Sequence, residues 1–239
     1  MVITIDGPAG AGKSTVARLL AARLGFEFLD TGAMYRCVTL AALRAGIPLE
    51  DSQRVAELAE GLQIELDGDR VLLNGEDVSA EIRLPEVSAN IGKIADNLAV
   101  RRHLTQLQRR WAQGKRVVTE GRDQGTEVFP DAACKFFLTA SRQERARRRH
   151  RELLSRGIEI TFEEVLEQQD RRDREDAARP IGALRPAPDA IQVDTDGHTL
   201  EEVTEILVRH VRQKLSQLDP DQPQPRQDRP TPPGQEDGA

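Results

Sequence analysis

Eight consecutive residues near the start of the chain, Gly7-Pro8-Ala9-Gly10-Ala11-Gly12-Lys13-Ser14, constrain the fold more than anything else in the sequence. They match G-x-x-x-x-G-K-S/T in full, and Thr15 follows. Just before them, Val2 to Ile5 is a short β-branched run closed by Asp6-Gly7, which reads as a strand entering a turn. Just after, Val16, Leu19, Leu20 and Leu24 recur at helical spacing, and Gly25 is placed to end the helix. Strand, glycine loop and helix start together make a phosphate cradle. Glycines let successive backbone N–H groups turn inward, and the helix N-terminus adds partial positive charge. Lys13 is expected to reach the β- and γ-phosphates, and Ser14 to ligate Mg²⁺. A glycine-rich turn that binds nothing is the alternative. Eight matched positions in this setting weigh against it. A nucleoside triphosphate site over Gly7 to Thr15 is expected, while the reaction stays open, since GTPases, motors and kinases share such loops. The chain has no N-K-x-D guanine-reading motif, and its 239 residues are few for the extra domains of most motors.

Beyond the loop, strand and helix patterns alternate. Phe26–Leu29, Arg116–Thr119, Lys135–Leu138 and Ala190–Val193 read as strands. Arg36–Arg44, Asn97–Trp111, Ser141–Ser155, Thr161–Arg179 and Thr199–Leu215 read as helices. The alternation implies an α/β fold, a P-loop core whose parallel sheet is flanked by helices on both faces. Asp51 to Gly92 breaks the rhythm: Ser52 can cap a helix to about Glu60, and Asp67-Gly68-Asp69 joins two short strands as a hairpin. This stretch, residues 51–92, reads as an insert in a core of residues 1–50 and 93–215. Residues 216–239 hold six of the 13 prolines and one large aliphatic side chain, Leu218, so a disordered tail is expected.

Composition narrows the partners. No apolar stretch approaches the roughly 20 residues that span a bilayer. The N-terminus has no basic segment followed by an apolar one. Two cysteines, Cys37 and Cys134, are too few for a metal cluster. A cytoplasmic protein with no membrane partner is expected. The net charge of −6, from 34 basic and 40 acidic residues, argues against a nucleic-acid binder.

Two segments suggest an acceptor pocket. Asp30-Thr31-Gly32-Ala33-Met34-Tyr35-Arg36 reads as a polar loop leading into a helix at the carboxyl end of the sheet, where open α/β folds bind ligands. Arg36 could hold an acceptor phosphate with Thr31 as a donor, or be a solvated arginine; Tyr35 reads as core packing. Val117-Val118-Thr119-Glu120-Gly121-Arg122-Asp123 runs a β-branched strand into charged residues. Glu120 is placed to hold Mg²⁺ through a bound water, and Arg122 and Asp123 would face the cleft. A structural ion pair is the alternative for those two.

Taken together, G-P-A-G-A-G-K-S-T, D-T-G-A-M-Y-R, E-G-R-D-Q-G-T-E-V-F-P-D-A and a later R-D-x-x-D-x-x-R resemble bacterial cytidylate kinase, the (d)CMP kinase of the nucleoside monophosphate kinases. The resemblance covers about residues 2–215. It implies transfer of the γ-phosphoryl group of Mg·ATP to CMP or dCMP. It also implies a monomer with a monophosphate-binding insert and a helical lid at about residues 142–182. By the resemblance, Asp123 accepts from cytosine N4 and Arg101 donates to N3 and O2, while Arg36 and Arg122 clamp the CMP phosphate. Uracil would reverse the polarity at position 4, and an unpaired buried group costs about 1–3 kcal/mol. The family's serine nine residues before Arg101 is Gly92 here, with Lys93 beside it as a substitute.

Ser141 to Arg151 carries six arginines in eleven residues, and Arg142, Arg145 and Arg149 share one helix face. A solvated face is the plain reading. The resemblance instead assigns Arg145 and Arg149 to the transferring phosphoryl group and leaves Arg147 and Arg148 exposed. It likewise gives Arg172, Asp176 and Arg179 to the CMP sugar and phosphates, against the alternative of i,i+4 surface pairing worth about 0.3–0.5 kcal/mol. Gly182-Ala183-Leu184 departs from the family's Ala-Pro-Leu. The competing functions are another small P-loop kinase, for UMP, AMP or a non-nucleotide acceptor, and a nucleotide-binding switch.

Overall fold

The computed structural model describes residues 1–218. Its centre is a five-stranded parallel sheet in the order β2-β6-β1-β7-β8, made of β1 (Val2–Asp6), β2 (Glu27–Asp30), β6 (Val117–Gly121), β7 (Cys134–Thr139) and β8 (Ile191–Asp194). Alternate side chains of a strand face opposite ways, so one sheet feeds two cores. Val118 joins Ile3, Ile5 and Phe136 under α1 (Lys13–Leu24) and α8 (Leu200–Leu218). Val117 joins Leu29 under α2 (Thr31–Arg44) and α5 (Leu98–Ala112). Each fully buried aliphatic side chain contributes about 1.5–3 kcal/mol. The parallel sheet with helices on both faces is the architecture expected from the alternation.

Residues 52–96 hold α3 (Ser52–Glu60), an antiparallel sheet of β3 (Ile64–Asp67), β4 (Arg70–Leu73) and β5 (Glu76–Asp77), a 3₁₀ turn (Glu81–Arg83) and α4 (Pro85–Asp96). Val71, Leu73, Val78, Ile82 and Val87 pack with Cys37, Leu40 and Ala41 of α2. Helix α4 lacks an expected counterpart in the sequence reading. Pro85 suits its first position, where no N–H is needed, but Gly92 in its interior weakens the helical signal. Asp51, not Ser52, caps α3, accepting from Arg54 N–H at 3.1 Å.

α6 (Arg142–Ser155) and α7 (Phe162–Ala178) form a hairpin with a small apolar seam of Ala146, Leu153 and Val165. Thr161 and Glu164 close a capping box at the start of α7, and Thr199 and Glu202 exchange the same bonds before α8. The backbone of α8 runs to Leu218, three residues into the segment expected to be tail. The rest of that segment, residues 219–239, lies outside the described residues.

Candidate functional site

The sheet register sets the site. Asp6 lies opposite Gly121 and Phe137, and Asp30 opposite Glu120, so three strands deliver their carboxyl ends to one edge. Gly7 leaves β1 at φ +147, and a side chain there would overlap the Leu138 carbonyl of β7. The loop can start so close to the sheet because that residue is glycine. Gly12, at φ +86, precedes Lys13, the first residue of α1. The Lys13 ammonium donates to the Pro8 carbonyl at 2.8 Å. Burial, and then the nearby Arg122, bring its pKa down to about 7. Ser14 donates to Glu120 Oε1 at 3.0 Å, so the two residues expected at a cation stand together.

The hairpin of α6 and α7 reaches the back of the loop. Arg145 is buried, donates to the Ala9 carbonyl at 3.1 Å and pairs with Asp173 at 2.6 Å. Arg149 makes neither of these contacts and pairs with Glu152 at 2.8 Å. Arg148, expected to be exposed, is half-buried: it donates to Oγ1 and O of Thr195 at 2.8 Å each, and Thr195 Oγ1 donates to the Ala11 carbonyl at 3.4 Å. The i, i+3 pair Arg145 and Arg148 therefore supports the loop. Spacing along the helix did not distinguish Arg148 from Arg149. Gln169 is also buried here. A side chain on Gly10 would come within 3.0 Å of both Gln169 Nε2 and Arg145 Cβ.

The acceptor side is a cationic cluster. Arg122 Nε donates to Asp176 Oδ2 at 2.9 Å, and Arg179 pairs with Asp176 and with Asp96 at 2.6 Å each. Asp176 is 2% exposed. Burial works to raise its pKa, but Arg122, Arg179 and Arg172 together hold it below the ordinary carboxylate value. Burial, then Arg122, pulls the Arg172 guanidinium down to about 10; Arg36 and Arg179 add to the repulsion. Arg36 itself stands 3.9 Å from Asp30, with Arg18 and Arg83 at 3.7 and 3.8 Å from the same carboxylate. Arg36, Arg122, Arg172 and Arg179 thus share few carboxylates, and Arg122 and Arg172 lie close enough to Lys13 to lower its pKa, which suits a multiply charged anion.

Thr31 is already helical and not in a loop, because the Asp30 carboxylate accepts from Ala33 N–H at 2.9 Å and caps α2. The Thr31 hydroxyl donates to the Glu120 carbonyl at 2.7 Å, tying α2 to β6 with the hydrogen it was expected to offer a phosphate. Beyond the arginines, Arg101 and Asp123 form a buried ion pair, and Arg101 also donates to the Ala95 carbonyl at 3.0 Å. Burial raises the Asp123 pKa against the pull of Arg101. Tyr35 packs into the core as expected and lies beneath Arg101, whose Cζ is 6.0 Å from the ring centroid; burial pushes the phenol up to about 12. Gly182, at φ +73, covers the pair: a Cβ there would overlap the Arg101 guanidinium and stand 2.6 Å from Asp123 Oδ2. Lys93 is engaged elsewhere, 2.9 Å from Glu50.

No helix of the described residues is long and apolar enough to cross a membrane. The family model described as "Cytidylate kinase" matches residues 3–213. A cytidylate kinase of Rhodopirellula baltica is 54% identical over 213 residues, covering 89% of this chain and 93% of that protein. One from Caldanaerobacter subterraneus subsp. tengcongensis is 52% identical over 210 residues, covering 88% and 94%. A third, from Carboxydothermus hydrogenoformans, is 50% identical over 218 residues, covering 90% and 98%.

Proposed function

The chain belongs to the cytidylate kinase family, and from that premise we propose that it moves the γ-phosphoryl group of ATP onto CMP or dCMP, giving ADP and CDP or dCDP. The observation that carries the substrate assignment is one arrangement: a buried acceptor–donor pair, Asp123 and Arg101, set apart from Lys13 by the cluster of Arg36, Arg122, Arg172 and Arg179. In this reading a cytosine lies on the pair, its phosphate under the arginines, and the γ-phosphate of ATP against Lys13. Asp123 and Arg101 satisfy each other in the protein as it stands, so the base must exchange with an existing bond. Only a base with an amino donor facing Asp123 and acceptors facing Arg101 restores both bonds; cytosine does so with N4, N3 and O2, whereas uracil carries an oxygen at position 4. Asp176, whose two oxygens are held by Arg122 and Arg179, would accept from the ribose hydroxyls as those pairs rearrange.

Transfer is direct and in line. The acceptor is already an anionic oxygen, so no strong general base is needed. The chain positions the two anions and offsets the charge that spreads over the transferred group. Lys13 and Arg122 serve that charge from the front and Arg145 from behind the loop. We assign Arg149 a lesser part than its neighbour because of its bond to Glu152. Ser14 and Glu120 offer a hydroxyl and a carboxylate side by side, oxygen donors that suit a hard divalent cation. Mg²⁺ held there with ATP would neutralise phosphate charge. Closure of the α6–α7 hairpin, with residues 51–92 as the acceptor-binding unit, would exclude water and limit ATP hydrolysis. A monomer in the cytosol, as the resemblance implies, completes the reading.

The test is ADP release with CMP, dCMP, UMP, AMP and GMP as separate acceptors. CMP and dCMP should exceed UMP by about tenfold or more, the weight of one misplaced buried hydrogen bond. ADP release that ignores the acceptor would overturn the proposal in favour of a nucleotide-binding switch.

A further inference from the structure

Asp6, the last residue of β1, is 3% exposed, and its side-chain hydrogen bonds go to none of the groups assigned to substrates. Its two oxygens accept from consecutive main-chain donors, Oδ1 from Gln124 N–H at 2.8 Å and Oδ2 from Gly125 N–H at 2.7 Å. Those amides directly follow Asp123. The Asp123 carbonyl is held separately, by Glu127 and Val128 N–H at 2.9 and 3.2 Å. The peptide that follows Asp123, and with it the backbone that aims its side chain, is therefore held through both its carbonyl and its N–H, and one of those partners is a buried carboxylate.

That choice is unfavourable for stability alone. Burial pushes the Asp6 carboxyl up to about 6, against the pull of the Gly125 and Gln124 amides. Among the described residues no cation lies within ion-pair distance of it. A turn can be closed by neutral groups with less desolvation. A charged acceptor does offer two strong, directional bonds at once. Gly125 is shaped to receive one of them. A side chain there would stand 2.9 Å from Thr4 Oγ1, 3.2 Å from Lys135 Cδ and 3.3 Å from Asp6 Oδ2. The Asp6 main chain continues straight into Gly7, so the same residue that starts the ATP loop grips the turn after β6.

We propose that Asp6 is a positioning residue for base selection: its carboxylate fixes the Gln124–Gly125 amides so that Asp123 meets both Arg101 and the exocyclic amine of cytosine. This rests on Asp123 reading the base. The test compares kcat/KM for CMP and UMP, and KM for ATP, in the wild type, Asp6→Asn, Gly125→Ala and Asp123→Ala. Asn keeps the volume and removes the buried charge, but its amide group turns an N–H toward one of the two donors. Asp6→Asn should raise KM for CMP and lower the CMP-to-UMP ratio about tenfold, roughly one lost bond to a charged group. KM for ATP should stay within about twofold. Gly125→Ala attacks the same grip from the other side and should shift the ratio in the same direction, so it decides the matter if Asp6→Asn does not fold. A merely structural role would lower melting temperature and leave the ratio alone. An unchanged ratio in the folded variants, with the ratio collapsed in Asp123→Ala, overturns the role of Asp6 and leaves the base-reading assignment standing. An unchanged ratio in Asp123→Ala overturns both.

Discussion

The glycine-rich loop proposed for ATP and the pocket proposed for the acceptor are built on opposite plans. The loop is contiguous, eight residues whose contribution is mostly backbone, set against the Leu138 carbonyl and the start of α1. The acceptor pocket is assembled from distant segments, with Arg101 from α5, Asp123 from the turn after β6 and Asp176 from α7. Its charged side chains neutralise one another: Arg101 with Asp123, Arg122 and Arg179 with Asp176, Arg179 with Asp96. A backbone cradle is rigid and ready. A network of ion pairs must break some of its bonds to take a ligand, and it rests on a hairpin with few buried apolar side chains. In the proposed reading the loop supplies fixed geometry and the pocket supplies discrimination, because a wrong substrate fails to repair the bonds it displaces.

The largest effect should come from the one side chain of the loop that carries charge. Lys13→Ala is expected to lower kcat by about 10²–10³ or more, as loss of a preorganised charge does, with the fold retained. Near-normal turnover would remove the distinction between loop and pocket. The stability profile gives an independent check. The folded amine titrates at about 7 and the unfolded amine at its ordinary 10.5, so the unfolded chain binds more protons between those values. Wild-type stability should therefore gain from Lys13 as pH rises from 7 towards 10.5. The Lys13→Ala protein should lack that gain in melting temperatures measured across the same range.

The α6 arginines separate support from exposure. Arg145→Ala removes a buried cation bonded to the Ala9 carbonyl and to Asp173, and leaves Asp173 unpaired. It should reduce kcat/KM about 10²-fold and cost roughly 2–4 kcal/mol in denaturant melts. Arg149→Ala breaks a half-exposed pair with Glu152 and should cost less than about 1 kcal/mol. Equal losses of activity would mean that the two arginines act together on the transferred group.

Gly182→Ala probes the cover over Arg101 and Asp123, the pair proposed to read the base. An alanine at φ +73 costs about 1–2 kcal/mol, and its methyl would overlap the Arg101 guanidinium. Both effects disfavour the covered arrangement with which cytosine competes. KM for CMP should fall about three- to tenfold, since apparent affinity follows the fraction of competent protein. KM for ATP should not move. A rise in KM for CMP would mean that Gly182 helps to hold the base.

The same contrast explains what could be read from sequence. The loop, the five parallel strands and most helix limits follow from local signals such as glycine spacing, β-branched runs and capping residues. The motifs of the resemblance name Arg101 and Asp123, but nothing local shows that they pair, since the pairing depends on how α5 packs beside β6. Arg148 and Arg149 differ by one step of helix rotation, and only the docking of α6 on the loop distinguishes them. Asp6 carries no signature, because a single aspartate at a strand end looks like any turn residue until its two amide partners are in place. Helix α4 was hidden by Gly92, whose low helix propensity is overridden by the burial of Val87 and Ile94.

Gly92 also offers the finest test of the contrast. It lies inside α4, and a Cβ there would meet nothing within 4 Å. Serine and alanine should both fit and both stabilise the helix, by about 0.5 kcal/mol or more. That helix ends near the Ala95 carbonyl that accepts from Arg101 and near Asp96, the partner of Arg179. Two effects on CMP are therefore separable. If the serine hydroxyl that the resemblance places here bonds the base, Gly92→Ser should lower KM for CMP about two- to threefold, within the 0.5–1.5 kcal/mol of one net hydrogen bond. Gly92→Ala should then match or exceed it in melting temperature without lowering KM. Equal falls in KM for the two variants would instead trace the gain to a stiffer α4 holding Arg101 in place, and the pocket would share the loop's dependence on a fixed backbone.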